Sequence, residues 1–213
     1  MSRCSAASAP GWRTLRRKCC STSAANLSIG DDKVRLACAK LLTLCCLMLG
    51  AGAAHGGELK PWTGGATPAL ALKDPAGKVH DLAAYRGKVV LVNFWATWCP
   101  PCREELPSMQ ALQQQLAGKG FEVLAVNLME SEEKIAAFRE SELIDLPVLM
   151  DRDGAAAKRW KVRMLPISFV IDRQGAIRYQ LLGQANWTGP DVAPVIERLI
   201  GAGAKSQSVS TAQ

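Results

Sequence analysis

The feature that most constrains this chain is an apolar run, Lys88-Val-Val-Leu-Val-Asn-Phe-Trp95, that leads through Ala-Thr-Trp98 into Cys99-Pro100-Pro101-Cys102. Behind the second cysteine, Arg103 to Leu116 places Leu106, Met109, Leu112 and Leu116 at helical spacing. A short apolar run rich in β-branched residues predicts a buried strand, and the period of three to four predicts a helix. The cysteines therefore fall at a strand-to-helix junction, Cys99 at the N-cap end and Cys102 in the first turn. Unpaired N–H groups and the positive end of the helix dipole favour a thiolate there and lower the pKa of the first cysteine. A Cys-x-x-Cys pair in that position is the layout of a dithiol/disulfide redox centre.

Zinc is the competing use of such a pair, and it needs two further Cys or His ligands. The other six cysteines, Cys4, Cys19, Cys20, Cys38, Cys45 and Cys46, all precede the body of the chain, and the only histidines are His55 and His80. No metal is expected, and a network of structural disulfides is equally disfavoured. The redox disulfide itself is the only prosthetic chemistry implied, with no organic cofactor.

Charge divides along the same boundary. Residues 1–54 carry a net charge of +6 and residues 55–213 only +1. The main body therefore lacks the basic stripe that neutralises phosphates, and no nucleic acid is expected as a partner.

The first quarter reads as an address. Arg35 and Lys40 precede the uncharged stretch Leu41 to Ala54, which ends in small residues, the pattern of a secretory signal. An uncleaved inner-membrane anchor over 36–54 is the alternative, although the stretch is shorter than the roughly 20 apolar residues of a comfortable span. Residues 1–30, with five Lys/Arg and no acid, read either as an upstream extension from a start codon placed too early or as an organellar transit segment. The expected organisation is a targeting region 1–54, a linker 55–65, one domain 66–201 and a flexible tail 202–213.

Within the domain, an opening hairpin is expected from Leu70 to His80 around Pro75-Ala-Gly77, then the 88–95 strand and its helix. Strands follow at 121–128, 167–172 and 177–182, with a short strand or extended segment at 146–150 and helices at 132–139, 154–160 and 192–200. This order argues an α/β fold with a central mixed sheet flanked by helices on both faces.

The block Gly87 to Pro107, with Leu165-Pro166 before a strand and Ile171-Asp-Arg-Gln-Gly175 after it, resembles the thioredoxin superfamily. Within it, the chain resembles the TlpA/ResA/DsbE-type (CcmG-like) exported thiol-disulfide oxidoreductases, over about residues 66–200. The resemblance implies a thioredoxin-like fold with an N-terminal β-hairpin and a short central insert, Met129 to Trp160. It implies that Pro166 is a cis-proline facing the redox pair, so that the backbone of Leu165 binds a substrate strand beside Cys99. It also implies that Glu105, three residues beyond Cys102, is the acidic residue of ResA-type members; the other reading is a solvated first-turn glutamate. At the strand position of thioredoxin's buried aspartate this chain has Asn93, which exchanges no proton.

On this reading Cys99 attacks a substrate disulfide, Cys102 resolves the mixed disulfide, and Glu105 serves as general acid and base. Trp98 shields the pair and offers a contact surface, whereas Trp95 packs at the surface or in the core. Pro100 and Pro101 remove two backbone donors near Cys99, which moderates its pKa depression and favours a reductant. The resemblance further implies an extracytoplasmic, periplasmic protein, kept reduced by a membrane-embedded thiol donor. Its substrates would be protein disulfides such as those of apocytochrome c or copper-site proteins. A DsbA-like disulfide-forming oxidant is the nearest alternative, although the motif histidine and large helical insertion are absent. A Cu(I)-binding metallochaperone using the cysteines and Met164 is a second, and a peroxidase a weaker third.

Overall fold

The structure is a computed structural model that describes residues 57–208, with side chains described through residue 202. The targeting segment expected over 1–54, with its six cysteines, and the last five residues of the expected tail lie outside the described residues. Among the described residues there are eight strands: β1 (Leu59–Pro61), β2 (Ala71–Lys73), β3 (Val79–Asp81), β4 (Val89–Trp95), β5 (Phe121–Leu128), β6 (Val148–Asp151), β7 (Ile167–Ile171) and β8 (Ile177–Leu182). The α-helices are α1 (Pro100–Gln115), α2 (Glu132–Glu142), α3 (Ala155–Arg159) and α4 (Ala193–Ser208), with a 3-10 turn at Leu82–Tyr85.

Six strands form one mixed sheet in the order β1-β8-β7-β4-β5-β6. Strand β4 sits at its centre, parallel to β5 and antiparallel to β7, and all seven of its residues are buried. A strand covered on both faces reads as a continuous apolar run, which is why the sequence shows no alternation there. The alternation lies in the packing. Val89, Leu91 and Trp95 enter one core with Leu106, Met109 and Leu112 of α1, Ile135 of α2 and Ile196 of α4. Val90, Val92 and Phe94 enter the other, with Leu82 of the 3-10 turn, Ala156 and Ala157 of α3, and Trp160. The parallel crossovers β4-α1-β5 and β5-α2-β6 step the same way along the sheet, so the same hand of crossover lays α1 and α2 on one face.

The 71–81 hairpin forms as a separate two-stranded sheet, with Leu72 opposite His80. Gly77 turns it at φ +83°, and the Gly77 N–H donates to Asp74 O at 2.9 Å. The Ile171 to Gly175 motif is the β7–β8 turn. Asp172 Oδ1 accepts from the N–H groups of Gln174 and Ala176 at 3.0 and 2.9 Å, and Gly175 has φ +78° with an added Cβ falling 2.5 Å from Arg86.

Two elements differ from the expected pattern. Leu59–Pro61, within the stretch expected as a linker, is an edge strand paired with β8. Three residues ending in proline carry no period, and the strand exists because β8 offers it a ladder. Helix α4 runs to Ser208, past residue 201 where the tail was expected to begin, through Ala, Lys and Gln residues that favour helix and with no proline to stop it. Within the expected insert 129–160, the segment expected at 146–150 is the sheet's edge strand β6, parallel to β5, as expected of a short strand.

Candidate active site

Cys99 is the N-cap of α1, and Pro100 and Pro101 are its first two residues. Proline is suited to these positions, since its fixed φ is helical and its missing N–H would have no intrahelical acceptor. Cys99 and Cys102 are joined in a disulfide with a Cα–Cα distance of 5.3 Å. Cys99 is 4% exposed and Cys102 fully buried, so what exposure the pair has belongs to its first residue. Trp98, next to it, is 64% exposed and offers an open aromatic face. Trp95 is wholly in the core, 5.1 Å between ring centroids from Phe138.

One helical turn beyond Cys102 lies a buried carboxyl. Glu105 is 1% exposed, which overturns its reading as a solvated first-turn residue. Its Oε1 accepts from Asn93 Nδ2 at 2.8 Å, and its Oε2 accepts from the Ala185 N–H and from Trp187 Nε1, both at 3.2 Å. Burial penalises the charged form more than these three donors stabilise it, and the pKa rises from 4.5 to about 7. Asn93 Nδ2 also donates to Ser168 Oγ at 2.9 Å, which ties the centre of β4 to β7.

Sequence reasoning missed Trp187, which α1 holds at two points. Ser108 Oγ donates to Glu105 O at 2.7 Å and accepts from the Trp187 N–H at 3.1 Å, while the indole donates to the carboxyl. Trp187 lies in an irregular loop 82 residues from Glu105, and no period or spacing marks it. Replacing Trp187 with Phe removes one donor to the carboxylate and leaves a ring to fill the space. A hydrogen bond to a charged group contributes about 1.5–3 kcal/mol, so the Glu105 pKa should climb by about one pH unit or more. An NMR titration of the labelled glutamate side chain checks this, and an unchanged midpoint would mean that the indole does not tune the acid.

The loop leading to Cys99 is pinned from the other side by Glu130, also missed. Glu130 accepts from the Thr97 N–H at 2.7 Å, from Thr97 Oγ1 at 2.6 Å and from Asn127 Nδ2 at 2.8 Å, and pairs with Lys134 at 2.6 Å. Burial raises its pKa, but donation from Asn127, Lys134 and Thr97 outweighs this and holds the carboxyl below its ordinary value. The sequence signal was an acid just past the end of a strand adjacent to the cysteine-bearing one.

The Leu165–Pro166 peptide bond is cis. Ile167, the next residue, pairs with Phe94, so the topology brings Leu165 and Pro166 to the sheet end from which the Cys99 loop departs. Leu165 is partly buried and packs on both cores, and residues 163–165 make no backbone–backbone hydrogen bond among the described residues. The Pro166 carbonyl accepts from the Gly183 N–H at 2.9 Å, which links it to the loop carrying Ala185 and Trp187.

Residues 63–180 match the sequence profile of the AhpC/TSA family. The chain belongs to the AhpC/TSA family. Among relatives within it, the thiol-disulfide oxidoreductase ResA of Geobacillus thermodenitrificans is 37% identical over 120 residues, 56% of this chain and 69% of the relative. The thioredoxin-like protein YneN of Bacillus subtilis is 39% identical over 114 residues, 52% of this chain and 66% of that protein. In three dimensions the chain is similar to the crystal structure of a thiol:disulfide interchange protein DsbE from Chlorobium tepidum. The TM-score is 0.57 at 33% identity, covering 68% of this chain and 99% of the other. The fold of this AhpC/TSA member is thioredoxin-like, as the resemblance implied, and the chain is a thiol-disulfide oxidoreductase.

Proposed function

We propose that this chain is a reductase of protein disulfides outside the cytoplasm, with residues 1–54 as the export signal or anchor and residues 66–201 as the working domain. The observation that carries the direction is the pair Pro100 and Pro101 at the first two helical positions after Cys99. The N–H groups of the first two helical positions are missing, leaving that of Cys102 at the third, so the reduced form gains less thiolate stabilisation than at an ordinary helix start. A couple whose reduced form is not specially stabilised is a reductant and not a strong oxidant.

The cycle balances as two exchanges. The Cys99 thiolate attacks one sulfur of the substrate disulfide, whose other sulfur leaves as a thiolate. Glu105 takes the proton of Cys102, and the resulting thiolate attacks Cys99 Sγ, re-forming the Cys99–Cys102 disulfide and releasing the second substrate sulfur. The proton held by Glu105 passes to a departing thiolate, and two electrons have moved to the substrate. Burial of Cys102 disfavours its thiolate, so a nearby acceptor with a pKa about 7 suits the step at neutral pH. Substrate main chain would pair with the open backbone at Leu165 beside Pro166, while Trp98 contacts the partner's side chains. A membrane-embedded dithiol donor would restore the reduced pair, and apocytochrome c or copper-site proteins are the substrate classes this type implies.

The Cu(I)-carrier alternative draws no ligand from His80, whose ring nitrogens lie 2.7 Å from Tyr85 OH and 3.0 Å from Asp74 Oδ2. The test of direction is the reduction potential of the Cys99–Cys102 couple, measured against glutathione or dithiothreitol buffers in the full chain with its six N-terminal cysteines changed to serine. A value near or below about −220 mV is expected, and one near about −120 mV would assign the disulfide-forming role instead.

A further inference from the structure

The segment Lys158-Arg-Trp-Lys-Val-Arg-Met-Leu-Pro166 carries four cations that the exchange chemistry does not use. Lys158, Arg159, Lys161 and Arg163 are all exposed, and none is in an ion pair among the described residues. Their outward direction is imposed by the residues between them. Trp160 is 2% exposed and packs on Phe94 and Phe169 at centroid distances of 5.7 and 5.1 Å, and Val162 packs on the same core. The helix dipole accounts for Lys158 and Arg159, which end α3. It does not account for Lys161 and Arg163, which lie beyond the helix.

The location of this charge gives it meaning. Residues 55–213 are close to neutral, at net +1, so four cations within six residues are a local concentration. They run directly into residues 163–165, whose backbone makes no backbone–backbone hydrogen bond among the described residues, and which precede the cis-proline at the redox end of the sheet. Met164, 55% exposed, and Trp98, 64% exposed, add apolar surface there. Main-chain pairing binds any extended segment, whereas side chains around it provide the selection.

We propose that residues 158–165 form an electropositive docking lip for the redox centre, selecting extended polypeptide segments that carry Asp or Glu beside the cysteines to be reduced. This deepens the reductase reading and rests on it. Complementary charge at a rim acts on encounter more than on the chemical step, so selectivity appears in kcat/KM and weakens with salt.

The test uses the reduced full chain and two disulfide-bonded peptides that differ only in flanking residues, Glu in one and Lys in the other. Bis(2-hydroxyethyl) disulfide, which is uncharged, serves as a third substrate. The acidic peptide is expected to have the higher kcat/KM by about tenfold or more at low salt. That ratio should fall toward one in 0.5 M NaCl, and in the combined variant Lys158→Gln, Arg159→Gln, Lys161→Gln, Arg163→Gln. A ratio near one in the unmodified chain overturns the proposal, as does one that persists in the variant. Failure of the unmodified chain to reduce even the uncharged disulfide would overturn the reductase reading beneath it.

Discussion

Changing Cys102 to serine should stop turnover, by more than about 10³-fold, and leave the chain covalently attached to its substrate through Cys99. The N-cap cysteine retains the helix terminus that favours its thiolate, so attack on a disulfide proceeds. The group that would release the product is gone, and a serine hydroxyl three positions on is too weak an acid and nucleophile to replace it. Folding survives the change: Cys99 and Cys102 enclose a very short loop, and the chain-entropy account gives such a cross-link only about 2 kcal/mol. Non-reducing electrophoresis followed by mass spectrometry identifies the adduct. The reverse variant, Cys99→Ser, should form none, because Cys102 is fully buried. Equal trapping by both variants would exchange or abolish these roles.

Changing Glu105 to glutamine should slow turnover at neutral pH by about 10²-fold and remove a pH-dependent component of stability. The amide fits the site, because Asn93 Oδ1 is a buried acceptor without a partner among the described residues, and a rotated Asn93 can offer it to the new NH2 group. The pH dependence follows from the raised pKa. Between the ordinary 4.5 and the folded value of about 7, the folded chain holds a proton that the unfolded chain has released. The stabilisation is therefore complete below about pH 4.5 and is lost as pH rises to about 7, by about 3 kcal/mol. The glutamine variant has no such proton, so it should gain stability relative to the parent across that interval and hold the gain above it. Denaturant melts of both chains at pH 4.5, 6 and 8 measure the difference. Parallel curves would mean that Glu105 titrates in the folded chain as it does in water.

Local sequence was informative wherever adjacent residues carried the whole signal. The run from Val89 to Trp95, the cysteines at the start of α1 and the apolar period behind them are short-range patterns, and all three elements lie where those patterns place them. Gly77 and Gly175 mark their turns for the same reason, since a positive φ is a property of one residue. Edge strand β1 carried no such mark. Three residues without alternation become a strand only when β8 presents its unpaired backbone. The reach of α4 to Ser208 was likewise hidden by Gly201 and Gly203, which weaken the helical signal without ending the helix.

At the site, the sequence by itself determined the chemistry: two thiols three residues apart at a helix start, two prolines that remove the donors between them, and a carboxyl one turn further on. Only the tertiary structure decided the state of that carboxyl. Glu105 is buried by α1 packing on β4, and it is met there by Asn93 from the central strand and by Ala185 and Trp187 from a loop about 80 residues away. A pKa is set by what surrounds a group in space, and neither desolvation nor a donor so distant along the chain leaves a trace in the order of neighbouring residues.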